Sequence, residues 1–312
     1  MVTRREFMTA IPAVAVAHTV TFATDAKPGT KFTGIDVHTH FYDPTRKEGI
    51  PWPSKDDKVL YRPVLPAEFK KLAAPHGITA TVVVEASPVV EDNQWLLDQA
   101  KENAVIVGVV GRLFLSDADF AKNLARFAKN PAFRGIRVNE SELRTALKDD
   151  KQLDRVKALS DNGLSLDLNG GHDTFILATR LADKFPKLRI VVNHMGNPLI
   201  DGMPPAMAWK KAVALAGTAG ENVYCKLSAL VDGTRKRDAA PTELRFYTPV
   251  LDEMWTAFGA NRLLFGSNWP VSDLYAKYET VHALAHKFIE SKDKTALPKV
   301  FGTNATKAYQ LG

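Results

Sequence analysis

Gly34-Ile35-Asp36-Val37-His38-Thr39-His40 opens a pattern that repeats to the C-terminus: a short run rich in Val, Ile and Leu, then a longer amphipathic segment. Such alternation is the βα signature of a parallel sheet. Runs begin near Ile35, Thr79, Ala104, Phe133, Leu164, Leu188, Asn222 and Arg262, eight in all. Between them, helical periodicity covers Pro66 to His76, Glu91 to Asn103, Asp117 to Lys129, Lys151 to Asn162, Asp173 to Phe185, Pro204 to Ala216, Thr242 to Phe258 and Asp273 to Ser291. Eight strands each followed by a helix favour a closed (β/α)8 TIM barrel over an open doubly wound sheet. No glycine-rich phosphate loop follows the first run, and Gly170-Gly171 does not fit a dinucleotide fingerprint.

Length and composition agree. The 312 residues suit one large α/β barrel of roughly 250 residues with extensions. With 45% hydrophobic and 24% charged residues, the chain is neither disordered, fibrous nor a polytopic membrane protein. The net charge of +6 is scattered, with Arg235-Lys236-Arg237 as the dense cluster, so no nucleic-acid partner is expected. The single cysteine, Cys225, excludes an intramolecular disulfide and a cysteine-based zinc site, and its apolar neighbours point to a buried thiol.

Residues 1–26 stand apart. Thr3-Arg4-Arg5-Glu6-Phe7-Met8 precedes a weakly hydrophobic stretch from Ile11 to Val20 that is too short to span a bilayer. The segment resembles a twin-arginine export signal, with cleavage after Ala17 or near Ala26, which implies a periplasmic or otherwise exported protein. Residues 27–312 then form one barrel domain, with no membrane segment once the signal is removed.

The chemistry-bearing side chains collect at the ends of the runs, where a barrel places its active site. His38 and His40, two apart on one strand, project from the same face and can converge on one point. Asp36 shares that parity, where it could orient an imidazole or join the barrel interior. His194 closes the sixth run, and His172 follows the fifth, where it could reach the pocket or cap the next helix. Glu85 ends the second run as a metal ligand or general base; Arg137 and Lys226 end the fourth and seventh. Those cations suit a carboxylate or oxyanion, the alternative being ion pairs inside the barrel with Glu85 or Asp167. His76, His282 and His286 lie on helical segments, as surface or packing residues. Two long connections, Tyr42 to Leu65 with its Trp52 and prolines, and Ala229 to Pro241, are suited to covering a pocket and forming its opposite wall.

The eighth run, Arg262-Leu263-Leu264-Phe265-Gly266-Ser267-Asn268-Trp269-Pro270, together with the first and with Asn193-His194-Met195-Gly196, resembles the amidohydrolase superfamily. The closest branch includes sugar lactonases and the pyrone-dicarboxylate lactonase. Val84-Glu85-Ala86, Tyr224-Cys225-Lys226-Leu227-Ser228 and Gly302-Thr303-Asn304-Ala305 support the resemblance, which runs from Gly34 to the C-terminus. It implies that His38, His40 and His194 hold a divalent metal, zinc being the one expected, or in metal-free members bind substrate. It also implies an aspartate base after the eighth strand, where this chain has Asn268. An amide has no useful basicity near neutral pH, so Asn268 can orient water while Glu85, Asp273 or His194 supplies the base. Arg137, Lys226, His172 and Trp269 complete the expected substrate contacts. The expected reaction is hydrolysis of a small, acidic lactone or related cyclic ester or amide. The alternatives are decarboxylation of a carboxylated ring, or a silent exported binding protein. A homo-oligomer is possible.

Overall fold

The computed structural model describes residues 34–312, so the expected export signal lies outside the described residues. Eight parallel strands, β1 (Gly34–Thr39), β2 (Ile78–Val84), β3 (Ile106–Gly111), β4 (Phe133–Asn139), β5 (Ser165–Asn169), β6 (Arg189–Val192), β7 (Val223–Leu227) and β8 (Leu263–Phe265), pair in sequential order. Each expected run begins within two residues of its strand. The strands are buried on both faces, as parallel strands between a barrel interior and a coat of helices must be. The fold is a (β/α)8 barrel.

Ten α-helices are described: α1 (Pro66–Ala73), α2 (Asp92–Glu102), α3 (Phe120–Phe127), α4 (Glu140–Ala146), α5 (Asp150–Asp161), α6 (Asp173–Lys184), α7 (Met207–Gly217), α8 (Leu244–Arg262), α9 (Tyr278–Lys292) and α10 (Asn304–Tyr309). Eight match expected segments. Helix α9 starts at Tyr278 rather than at Asp273, which sits instead in a 3-10 turn, Val271–Leu274. Helices α4 and α10 were not foreseen. The first follows β4 directly, nucleated by Asn139, whose side chain accepts a hydrogen bond from Glu142 N. The second contributes Ala305, Ala308 and Tyr309 to a core cluster that includes Val37, Val82, Val110, Val191 and Leu264 from the strands.

The barrel closes between β1 and the chain that follows β8. Asn268 N donates to His38 O at 2.8 Å and His40 N to Trp269 O at 2.9 Å. Asp36 stitches the same seam: its Oδ1 accepts from Ser267 N at 2.9 Å and from His38 N at 3.0 Å, and its Oδ2 from Tyr278 Oη at 3.2 Å. Asp36 therefore positions the His38 backbone rather than an imidazole. A Cβ on Gly266 would stand 2.7 Å from His38 Cβ, so only glycine lets the two segments approach this closely. Cys225 is fully buried and unpaired, and burial pushes its thiol above the usual range. Among the described residues no helix is long and apolar enough to cross a membrane.

Candidate active site

Three imidazoles meet at the C-terminal mouth of the barrel. The His38 ring centroid lies 5.0 Å from that of His40 and 4.3 Å from that of His194. The β1 seam fixes His38 and His40. His194 is placed by a left-handed backbone, φ 54°, at the exit of β6, a costly conformation for a non-glycine residue. It is held there by Ser228, whose Oγ accepts from His194 N at 3.2 Å and lies 2.9 Å from His194 Nδ1. His40 Nδ1–H donates to Val84 O at 2.9 Å, which leaves its Nε2 unprotonated, with the Asn268 side chain beside the ring.

Burial first, then nearby Arg137 and Lys226, holds the imidazoles neutral. His40 is lowered to about 3, and His38 and His194 lie well below their ordinary value. Lys226 Nζ stands 2.7 Å from Asp167 Oδ2 and 3.3 Å from His38 Nδ1, with no side-chain exposure. Burial pushes Lys226 down and Asp167 up, while their contact opposes both shifts. Tyr309 Oη lies 3.2 and 3.1 Å from the Asp167 carboxylate oxygens, donating to that carboxylate and favouring the ion pair. An ammonium only donates, so His38 Nδ1 accepts and the neutral ring carries its proton on Nε2. That atom is buried without a partner.

This arrangement bears on the expected metal. A protonated Nε2 offers no lone pair, and among the described residues no three His, Cys, Asp or Glu side chains are grouped to hold a metal ion. As the side chains stand, His38, His40 and His194 do not fit a three-histidine metal centre. They present imidazole hydrogen-bonding groups instead.

Above the histidines lies a cavity of about 460 Å³, lined by His40, His194, Arg137, Asn268, Asn169, Asn197, Asp232 and Trp52 among others. A smaller one of about 240 Å³ shares Arg137 and Asn169 with it and adds Glu85, Arg112 and Asn139. The cations here are already matched. Arg137 Nε donates to Glu85 Oε1, and its NH2 nitrogen to Glu85 O, both at 2.9 Å. Arg112 pairs with Glu142 at 2.8 Å and donates to Arg137 O at 2.7 Å.

The expected site residues thus separate. His40, His194, Arg137 and Asn268 line the main cavity, Glu85 the smaller one, and His38 lies beneath. Lys226 does not reach substrate: it is the ion pair inside the barrel, because β5 and β7 aim Asp167 and Lys226 into the same interior layer. Trp269 is 1% exposed and packs on Phe41 and Phe69, so it is core rather than a substrate contact. His172 lines a separate pocket with Pro198 and Trp209. Asp273 is absent from the cavity wall and faces Arg62 at 3.9 Å; burial raises its carboxyl to about 6. Trp52, 6.0 Å from His40 ring to ring, confirms that the Tyr42 to Leu65 connection reaches the pocket.

Asp232 was missed. It lies in the Ala229 to Pro241 connection expected to form a wall, but no motif marks it beside the conspicuous basic trio. Its Oδ1 accepts from Asn268 Nδ2 at 2.7 Å, its Oδ2 is buried without a partner, and burial raises its carboxyl to about 6.

The Amidohydrolase family profile matches residues 35–311. The chain belongs to the amidohydrolase family. This amidohydrolase is 32% identical over 290 residues to the L-fucono-1,5-lactonase of Burkholderia ambifaria, covering 89% of this chain and 95% of the relative. It is 29% identical to the L-fucono-1,5-lactonase of Burkholderia multivorans, over 89% and 96% of the two chains. Among solved structures, an amidohydrolase from Burkholderia multivorans with bound zinc superposes with a TM-score of 0.78 at 26% identity, covering 90% of this chain and all of that one. Family and relatives make this amidohydrolase a hydrolytic enzyme.

Proposed function

We propose that this amidohydrolase opens a neutral sugar lactone. The observation that carries this reading is the matching of every cation near the cavity: Arg137 with Glu85, Arg112 with Glu142 and Lys226 with Asp167. A free carboxylate on the substrate would find no unpaired positive charge, so the acidic substrate expected from Arg137 and Lys226 gives way to an uncharged one. The wall that remains, with Asn169, Asn197, Asn268, His40 and His194, offers the donors and acceptors a polyhydroxylated ring requires. The similarity to two L-fucono-1,5-lactonases supports the same substrate class. Decarboxylation of a ring acid would need the free cation that is missing.

In this mechanism the lactone carbonyl points to Arg137. Its NH1 nitrogen has no hydrogen-bond partner among the described residues, and it can donate to the oxygen that becomes negative as water attacks. Glu85 fixes that guanidinium and balances its charge, so the donor is preorganised without attracting anions. A related structure holds bound zinc. Its uptake would require the Nε2 proton to leave His38, and no step here uses it.

The test is a panel of five- and six-membered aldonolactones and carboxylated lactones, followed by base consumption. Neutral aldonolactones are turned over and carboxylated lactones are not, and Arg137→Gln lowers kcat by ~10²–10³-fold. Preference for the carboxylated lactones, or full activity in Arg137→Gln, rejects the reading.

We also read residues 1–26 as the export signal of this enzyme, supported by Arg4-Arg5 and the apolar stretch to Val20. Cell fractionation should find the wild type outside the cytoplasm and the Arg4→Lys, Arg5→Lys double variant inside. Equal distributions would refute it.

A further inference from the structure

Hydrolysis of a lactone needs an acceptor for the proton of the attacking water, and Asn268 removes it from the position that the family resemblance predicts. The other expected candidates fail on geometry. Glu85 is held by Arg137, Asp273 is absent from the wall, and His194 Nδ1 is engaged by Ser228 Oγ at 2.9 Å. Asp232 remains as a carboxylate on the wall of the main cavity, and it touches the residue that took the aspartate's place.

We propose that Asp232 is the general base, its carboxylate fixed through Oδ1 by the Asn268 amide and receiving the proton of water at the cavity wall. The base has thereby moved from the end of β8 to the loop after β7. The inference rests on the lactone reading for its substrate but not for its geometry. Water oxygen bonds to the carbonyl carbon, the carbonyl π pair moves onto oxygen, and the water proton passes to the Asp232 carboxylate. On collapse the ring C–O bond breaks, and the leaving alkoxide takes that proton back, which restores the carboxylate. Lactone and water become one hydroxy acid, with nothing left over.

The Asn268 contact explains why an amide is present. Its Nδ2–H donates at 2.7 Å, so it holds the carboxylate without competing for the proton. A second carboxylate at that distance would force the pair to share one proton. Burial raises Asp232 to about 6, near the working pH at which a general base is most effective.

Three variants test the proposal on an aldonolactone and on p-nitrophenyl acetate. Asp232→Asn is isosteric. It lowers kcat by ~10²–10⁴-fold with KM little changed and with an unaltered urea midpoint. The wild-type kcat/KM falls below about pH 6 as Asp232 protonates. Asn268→Asp moves that limb to higher pH, because the two carboxylates share a proton. The exchange variant, Asn268→Asp with Asp232→Asn, recovers about tenfold or more over Asp232→Asn, which a purely structural role would not give. Activity of Asp232→Asn within about fivefold of wild type, or no recovery in the exchange, overturns the proposal. A wild type active on the acetate ester but on no lactone rejects the lactone reading alone, and the same variants then decide the base on that ester. A wild type inert toward both rejects both.

Discussion

Lys226→Ala lowers the unfolding free energy by ~3–5 kcal/mol, among the largest single effects expected in this protein. The ammonium and the Asp167 carboxylate are both without exposure and 2.7 Å apart. Truncating the lysine leaves a carboxylate deep in the barrel with Tyr309 as its remaining hydrogen-bond donor. Burial already pushes Asp167 up, so the orphaned carboxyl takes up a proton and the loss is greatest at neutral and alkaline pH, where that proton is scarce. Urea unfolding should show the drop. The double variant Lys226→Met, Asp167→Leu should recover part of it, because no charge is then left buried, although the Tyr309 hydroxyl and His38 Nδ1 lose their partners. A single variant within about 1 kcal/mol of wild type would mean that water reaches Asp167.

Acidification from pH 7 to pH 4.5 costs the wild type about 2–3 kcal/mol more than it costs His282→Phe. His282 is 9% exposed, among Phe265, Phe301, His76 and His286, and burial, then those two histidines, lowers it to about 4. The sign follows from linkage. Below 6.5 the unfolded chain binds a proton at this residue while the folded one does not, so stability is lost as pH falls from 6.5 toward 4 and no further below. Phenylalanine removes that difference. Urea unfolding at both pH values provides the comparison; equal acid losses would show that the folded protein admits the proton. The expectation of a packing role for His282 holds, and this is its consequence.

Much of the barrel was legible because its signals are local. A strand buried on both faces must be a continuous apolar run, and eight such runs with helical segments between them leave few architectures. The missed helices, α4 and α10, are seven and six residues long, too short for a helical period to repeat. Strand ends also gave His40, His194, Arg137 and Asn268, since the mouth of the barrel is where the strands point. Trp52 came from the stiff, aromatic connection that contains it.

The pairing of charges was not legible. Lys226 and Arg137 both end strands and look equivalent in sequence. Yet Lys226 points down onto Asp167 and His38, while Arg137 reaches the cavity and is fixed by Glu85. Which way each turns depends on the stagger of the strands, which puts residues from alternate strands into one layer. The tautomer of His38, and with it the poor fit to a metal, follows from that layer.

The sequence by itself determined the eight-stranded barrel and the mouth at which its polar residues gather, with an amide, Asn268, at the position where the family resemblance implies an aspartate. Those are properties of runs and positions, encoded by hydrophobic periodicity and residue type. Only the tertiary structure decided that Asn268 touches Asp232, 36 residues away in a loop without a motif, and that every cation around the cavity already has its partner. A hydrogen bond or an ion pair depends on distances of about 3 Å, and only the closed barrel brings those groups within that reach.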